Sequence, residues 1–512
     1  MSTRPLDGLY RLDANRMRID NPHGIEATLF ASEEVPIESA AVEELTRMLD
    51  VAETAQQFAE ASPESFSVPP EVSRVAITPD FHKARGIPVG TVMATRGFVI
   101  PQAIGNDINC GMRLHLTSLA EDRVAGRADE LETVLRHLHF EGGRNIPMSG
   151  RQRHAMLTAG IQGLLEETPR TLTEGLWSLF HEMDIQADLA RTESRGSLAA
   201  SRVFGLEDFV GPRAELTRDA QIGSIGGGNH FVELQRVEKI LDGATAHAWG
   251  LRAGMVTVMV HTGSVAIGHV SGGFYRDLVR RILPRPMRHP ENGIFLLPDG
   301  PRHHVESALF WDALANAGNF AFANRMFLAL ATLSALRRVC GDTDFPLLYD
   351  APHNFIWREE QDGAAWTVHR KGACPARGYE EMAGTPFEYY GEPVLVPGSM
   401  GASSFVLAGQ GNPQALSSAS HGAGRRLSRG DAMRSHDREF EEFMARFRVV
   451  TPLDLRDPAV RLRRDIVERK LESIKQEAPH AYKGIGAVVR TLEGAGMARP
   501  VAELKPILTV KG

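Results

Sequence analysis

The sequence predicts one mixed α/β body, of the α+β kind, folded around a single cleft. Three observations carry this. β-Branched runs short enough to be strands alternate with longer stretches of helical period. The polar residues capable of chemistry sit in Gly-rich turns beside those runs, and they come from distant parts of the chain, between Pro79 and Arg429. No fixed-period repeat, low-complexity tract or Pro/Ser-rich linker divides the 512 residues.

Residues 37–61, rich in Glu and Ala, read as an amphipathic helix. Strands are expected at 72–77, 89–93 and 113–118. Residues 128–194 are helical in pattern, and a helical subdomain of about that extent is the one expected subdivision of a domain spanning 1–512. Strands return at 230–237 and 255–260. A long helical zone covers 305–339, with Gly318 as its candidate bend. Short strands follow near 346–349, 365–368, 393–396 and 405–407. From 431 to 497 the pattern is helical again, its charge runs reading as solvated faces.

Bulk properties narrow the class. With 43% hydrophobic and 24% charged residues the composition is ordinary for a globular protein. The start, residues 1–21, is polar, and the longest nearly apolar stretch, 326–336, is too short to span a bilayer, so a cytoplasmic protein without a membrane partner is expected. Three scattered cysteines make no disulfide framework and leave a thiolate ligand available. A net charge of −7 excludes non-specific coating of nucleic acid and makes any such binding local.

The chemistry is concentrated in the turns. Asp80 and His82 lie in Pro79-Asp80-Phe81-His82. In Gly105-Asn106-Asp107-Ile108-Asn109-Cys110-Gly111, Asp107 and Cys110 can face one ion if the backbone turns between them, as the glycines allow. Alone, the pair reads as a surface carboxylate beside a buried thiol. The cluster Gly226-Gly227-Gly228-Asn229-His230 resembles an anion nest, without the Lys-Ser/Thr of a P-loop. If a strand begins at Asn229, then Asn229, Phe231 and Glu233 share one face and His230 takes the other. His261 ends the strand 255–260, and His353 follows Asp350 in the same arrangement, where α/β enzymes place functional groups. Each histidine singly is as well read as filler. Together, Asp107, Cys110, His230, His261 and His353 offer a carboxylate, a thiolate and three imidazoles. That set suits a transition ion such as Mn²⁺, Zn²⁺, Co²⁺ or Fe²⁺, and five donors exceed one tetrahedral site. His369-Arg370-Lys371-Gly372 and Pro397-Gly398-Ser399-Met400-Gly401 add cationic and nest-like turns. Ser420-His421-Gly422-Ala423-Gly424-Arg425, with Arg429 beyond, sets a histidine among small residues that let a phosphate approach.

In this order, these motifs resemble the RtcB family of 3′-phosphate RNA ligases, from Pro79 to Lys511-Gly512. The resemblance implies a distinctive single catalytic body, with strands around a deep cleft holding two Mn²⁺ ions and helices outside. It implies that Cys110 bridges the ions and that Asp107, His230, His261 and His353 complete the shells. It implies that His421 takes GMP from GTP, while Asn229, Glu233, Asn354, Ser404 and Lys511 hold the guanylate, with Glu233 and Lys511 on the base. Lys371, Arg425 and Arg429 fall near phosphates, and Asp80 and His82 support the site. The implied partners are GTP and RNA ends, with DNA 3′-phosphate ends as a second substrate class; an activating protein is left open. The implied reaction joins 3′-phosphate or 2′,3′-cyclic phosphate ends to 5′-hydroxyl ends.

The sequence also departs from the family's pattern. Val265 stands at a common arginine, Ala84 and Asn109 at glycines, and Cys374 at a threonine. Two other readings share part of the motif set. A GTP-dependent capping enzyme would leave GMP on 3′-phosphates without sealing, and a dinuclear phosphoesterase would need neither His421 nor Lys511. A non-catalytic RNA-binding module would rely on exposed aromatics and basic patches, and neither is evident in the sequence.

Overall fold

In a computed structural model, residues 8–512 are described except 213, 219, 220 and 362; residues 1–7 of the polar start lie outside this set. Most strands fall into two sheets. The seven-stranded sheet runs, in spatial order, Leu9–Arg11, Arg16–Ile19, Glu26–Phe30, Glu71–Arg85, Ile87–Arg96, Ala364–Lys371 and Asn354–Gln361. The eight-stranded sheet runs Leu347–Pro352, Gly111–Ala120, Met255–Thr262, Phe231–Ile240, Ala498–Val510, Ser404–Gly409 and Pro393–Val396, with Arg448–Val450 pairing alongside Ala498–Val510. Helices pack outside these strands, and the expected mixed α/β body is what forms.

The expected strands are present, most with longer bounds, and the helical zone 431–497 also contains the short strand Arg448–Val450. The helix read over 37–61 is two helices, Ser39–Leu49 and Val51–Ala61, joined at Asp50. The N-terminal strands, the helix Val265–Arg281 and the strand Ala498–Val510 went unread. The last lies just past the charged helical pattern, and its neighbours supply its pairing.

The helix His304–Cys340 organises the interior. It is buried on nearly every side from Phe310 onward, against the strands Gly111–Ala120 and Met255–Thr262 and beneath the helices Ala128–Phe140 and Gly150–Glu167. Trp177 meets Phe327 edge to face, with ring centroids 5.2 Å apart. The helix runs unbroken through Gly318, so this glycine is not a bend. It is a point of close approach: a Cβ there would lie 3.0 Å from Phe355 and 3.3 Å from the Asn109 amide. Buried polar side chains on the same helix satisfy irregular backbone. Asn319 donates to the carbonyls of Leu157 and Leu198 at 2.9 and 2.7 Å, which keeps a non-repetitive segment inside the molecule. Among the described residues, no helix is long and apolar enough to cross a membrane.

Candidate active site

Four adjacent strands of the eight-stranded sheet present their ends to one place. Leu347–Pro352 and Met255–Thr262 arrive there at their C-termini, Gly111–Ala120 and Phe231–Ile240 at their N-termini, because neighbouring strands are antiparallel. His353 follows the first, His261 ends the second, Asp107 and Cys110 precede the third, and His230 precedes the fourth. The last strand begins at Phe231 rather than Asn229. His230 therefore lies in the turn, where the alternation expected for a strand does not bind it.

All five donor side chains converge. Cys110 Sγ lies 3.3 Å from His230 Nε2 and 3.4 Å from His261 Nε2. His261 and His353 face each other Nε2 to Nε2 at 3.3 Å, and His230 Nε2 is 2.7 Å from Asp107 Oδ2. They make two overlapping groups, Asp107/Cys110/His230 and Cys110/His261/His353, sharing the cysteine. His230 is oriented from behind, its Nδ1 donating to the Ile225 carbonyl at 3.0 Å. Gly263 must be glycine here, since a Cβ would stand 2.8 Å from Cys110 Cα and closer still to Asp107 Oδ1.

The donor chemistry fits a bound cation. Burial holds the imidazoles of His261 and His353 well below the usual histidine range, which leaves them neutral and able to ligate. Burial, with Asp107 beside it, pushes the Cys110 thiol up, so only a cation would draw out its thiolate. Asp107 Oδ1 is buried with no hydrogen-bond partner, a costly state that a metal would relieve.

His421 stands beside this cluster, its ring centroid 4.6 Å from that of His353. It follows the short strand Ser418–Ser420, which pairs with Ala373–Pro375. The Nδ1 of His421 donates to the carboxylate of Asp80, in a very short contact, and to the Gly372 carbonyl at 2.8 Å. Asp80 lies where the pairing of Glu71–Arg85 with Ile87–Arg96 shifts register, between Ile77 and His82. Its Oδ1 accepts from Thr78 at 2.5 Å and from Ser420 at 3.1 Å. Burial works to raise Asp80, but the His421 imidazole and the Thr78 hydroxyl bond hold it below the usual carboxylate range. The His82 Nδ1 donates to the Asp80 carbonyl at 2.7 Å, and burial pulls this histidine down to about 4.

Around these groups opens a cleft of about 550 Å³. Asn229, Asn354, Lys371, Arg425, Arg429 and Lys511 line it. Glu233 and Ser404 do not: they sit buried behind its wall, joined through Gln235, whose Nε2 is 2.7 Å from Glu233 and 3.0 Å from Ser404. Burial raises Glu233 to about 7 and lowers Lys511 and Lys371 each to about 8. The Lys511 ammonium donates to the carbonyls of Gly228 and His230, tying the C-terminal strand to the glycine turn. Arg425 and Arg429 pair with Glu477 at 2.9 and 3.2 Å.

Two residues the sequence reading passed over hold this site together. Arg325 and Asn324, both fully buried, lie side by side on the long helix. Arg325 donates to the carbonyls of Asn109 and Thr262, to the Asn109 side chain, and to Asp350. Asn324 donates to the carbonyls of Ser224 and Gly263 at 2.9 and 3.2 Å and accepts from the Ser224 N–H at 2.9 Å. The pair thus grips every segment that carries a candidate ligand. An Asn-Arg step at the head of the apolar run 326–336 was the available signal.

The departures from the family's pattern also find places. Asn109 adopts a left-handed backbone, φ 56°, which explains a glycine there and makes asparagine the best substitute. Ala84 has no positive φ, so its Cβ is tolerated, and its N–H donates to Glu44 at 2.7 Å. Cys374 is buried opposite Ala419, beside the strand that leads to His421.

A buried cysteine-histidine-carboxylate cluster at converging strand ends, with a backed histidine beside it, defines an α/β protein built around a cleft whose donors fit a metal ion. A family model described as "tRNA-splicing ligase RtcB" matches residues 64–512. The chain is 32% identical to the tRNA-splicing ligase RtcB of Thermococcus kodakarensis, covering 85% of this chain and 87% of that protein. It is 35% identical to the RNA-splicing ligase RtcB of Mycobacterium bovis, covering 85% and 96%. The chain belongs to the RtcB family of ligases.

Proposed function

We propose that this protein seals RNA ends, joining 3′-phosphate or 2′,3′-cyclic phosphate ends to 5′-hydroxyl ends through GMP carried on His421. The single observation that carries this reading is the placement of His421. Its Nδ1 is committed to Asp80 and Gly372, so the Nε2 lone pair is the nucleophile offered to the cleft, next to the candidate ligand cluster. Asp107, Cys110, His230, His261 and His353 would hold two Mn²⁺ ions, which when bound supply Lewis-acid neutralisation of phosphate charge.

His421 Nε2 attacks the α-phosphorus of GTP; a phosphorus–nitrogen bond forms and pyrophosphate leaves. As that bond forms, the imidazole becomes cationic, and Asp80, held ionised, offsets the charge. The RNA 3′-phosphate then takes the GMP, returning a neutral His421. Finally the 5′-hydroxyl attacks the activated 3′ end and GMP departs. A cyclic end is first opened by water to a 3′-phosphate. Lys371, Arg425 and Arg429 line the wall where phosphates pass. Asn229, Asn354 and Lys511 in the wall, with Glu233 and Ser404 behind it, are assigned to the guanylate.

The test is incubation with α-labelled GTP and Mn²⁺, followed by a 3′-phosphate strand and a 5′-hydroxyl strand. Acid-labile label on the wild-type protein, none on His421→Ala, and a joined strand are expected. Label that persists in the variant would move the nucleophile elsewhere. Cys110→Ala should lose metal and activity together; unchanged metal content with normal turnover would refute the ligand assignment.

A further inference from the structure

A second cavity, of about 350 Å³, lies along the strands Asn354–Gln361 and Ala364–Lys371, which reach the catalytic cleft at Asn354 and Lys371, and it belongs to no part of the chemistry above. Its walls come from distant segments, and they combine aromatic side chains with two arginines. Arg358 lies over the Trp311 ring, its guanidinium carbon 4.3 Å from the centroid, and half-buried Trp366 and Arg96 complete the lining. Among the described residues, neither the Arg96 nor the Arg358 side chain donates a hydrogen bond, although the Asp299 carboxylate lies close enough to Arg358 to interact with its charge. The one carboxylate in the wall, Asp299, already accepts from Ser67 N–H and Oγ at 3.2 and 2.7 Å. Two guanidiniums against one engaged carboxylate leave the cavity cationic.

Its position follows from strand register. Asn354 pairs with Lys371 and Arg358 with Thr367. Side chains two and four residues apart on a strand share a face, so these four lie on one side of the sheet. Asn354 and Lys371 line the catalytic cleft, and Arg358 and Thr367 line the second cavity. Between them Ile356 and His369 are covered by the segment whose Ile100 N–H donates to His369 Nε2 at 2.9 Å. Four strand residues separate the two openings by about 13 Å, within the reach of about four nucleotides at 3.4 Å each.

We infer that this cavity is a subsite for an unpaired nucleotide of the RNA strand whose reacting end occupies the catalytic cleft. A base packs against Trp311 and the Arg358 guanidinium over it, as single-stranded RNA does on tryptophan and guanidinium planes, and a phosphate meets the guanidinium donors of Arg358, with Arg96 at the cavity's rim. Neither exposed aromatics nor a basic patch is legible in the sequence because these residues are contiguous only in the fold. The inference rests on the RNA-end reading given above.

The test uses the full chain and labelled single-stranded RNA hexamers, one ending in a 3′-phosphate and one beginning with a 5′-hydroxyl, beside the matching dinucleotides. Binding is read by fluorescence polarisation. The double variant Arg96→Gln/Arg358→Gln is expected to bind one hexamer about tenfold more weakly, with dinucleotide binding and GMP labelling of His421 unchanged. The affected hexamer identifies which strand the subsite holds. Trp311→Phe should keep hexamer affinity and Trp311→Ala should lose it, with unchanged thermal melts confirming folded protein. Wild-type affinity of the double variant for both hexamers, or equal loss for hexamer and dinucleotide, would overturn the inference. Absence of GMP labelling in the unmodified protein would instead refute the proposed reaction, since hexamer binding is read without GTP.

Discussion

The Arg325 guanidinium donates to the Asn109 carbonyl at 2.7 Å and to the Asn109 side chain at 2.9 Å, holding a left-handed residue between Asp107 and Cys110. The same group reaches Thr262 at 3.1 Å and Asp350 at 2.8 Å. Arg113 adds a second bond to Asp350 at 3.2 Å and one to Asp188 at 2.8 Å, so the buried charges are compensated. One planar fork thus fixes the spacing of three segments that carry candidate ligands.

Arg325→Lys keeps the charge and loses the fork. Lysine cannot bond both faces of Asn109 and reach Asp350 from one position. The variant is expected to lose about 2–4 kcal/mol of stability and most of its bound metal. Denaturant melts and metal analysis check this; a wild-type metal content in a folded variant would show that the segments hold their spacing without the fork.

Asp80→Asn preserves an acceptor for His421 Nδ1 and removes the negative charge behind it. GMP labelling should slow by at least about tenfold, with metal content unchanged. Rapid-quench labelling measures the rate, and a wild-type rate would reduce Asp80 to a packing role.

Glu233 ties stability to pH. Its folded pKa is raised by burial to about 7, above the ordinary 4.5, so the folded state prefers the protonated form. Below about pH 4.5 both states are protonated and the group is neutral to stability. Its cost grows as pH rises through that value and is complete above about 7. Glu233→Gln should therefore stabilise the protein by about 1–3 kcal/mol at pH 8 and leave it unchanged near pH 4, while weakening GTP use. Equal melting shifts at both pH values would contradict the assignment.

Val265 opens the helix Val265–Arg281 with φ 49°, a conformation that β-branched residues avoid. Val265→Gly should stabilise the fold by about 1 kcal/mol. Val265→Arg restores a donor one residue past Ser264 and should raise sealing of 3′-phosphate and 5′-hydroxyl ends without altering His421 labelling. No gain in joined product would mean that phosphate is gripped by other residues.

What could be read from the sequence was what local chemistry encodes. The β-branched run before His261 and the Gly-rich turn around Cys110 announced both the strand ends and the donors. Asp80 had a motif but no role, because its partner His421 is 341 residues away and only the fold joins them. Arg325 and Asn324 were hidden for the opposite reason. In a helix buried on all sides, no amphipathic stripe marks the face that matters. The strand Ala498–Val510 stood without a local signature, since its place depends on the neighbours that pair with it.

The separations between the candidate ligands set an order of assembly. Cys110 is 120 residues from His230 and 151 from His261, and His261 is 92 from His353. Only Asp107 and Cys110 are near neighbours, so a nascent or unfolded chain presents no multidentate chelate, and closing such loops around an ion has a large entropic cost. The cluster is instead built by sheet pairing and by the central helix, and an ion would meet it finished. Metal loading would then be a late step that follows folding rather than driving it. Selection among ions falls to a rigid set of distances, and a chelator should strip the centre while leaving the surrounding architecture standing.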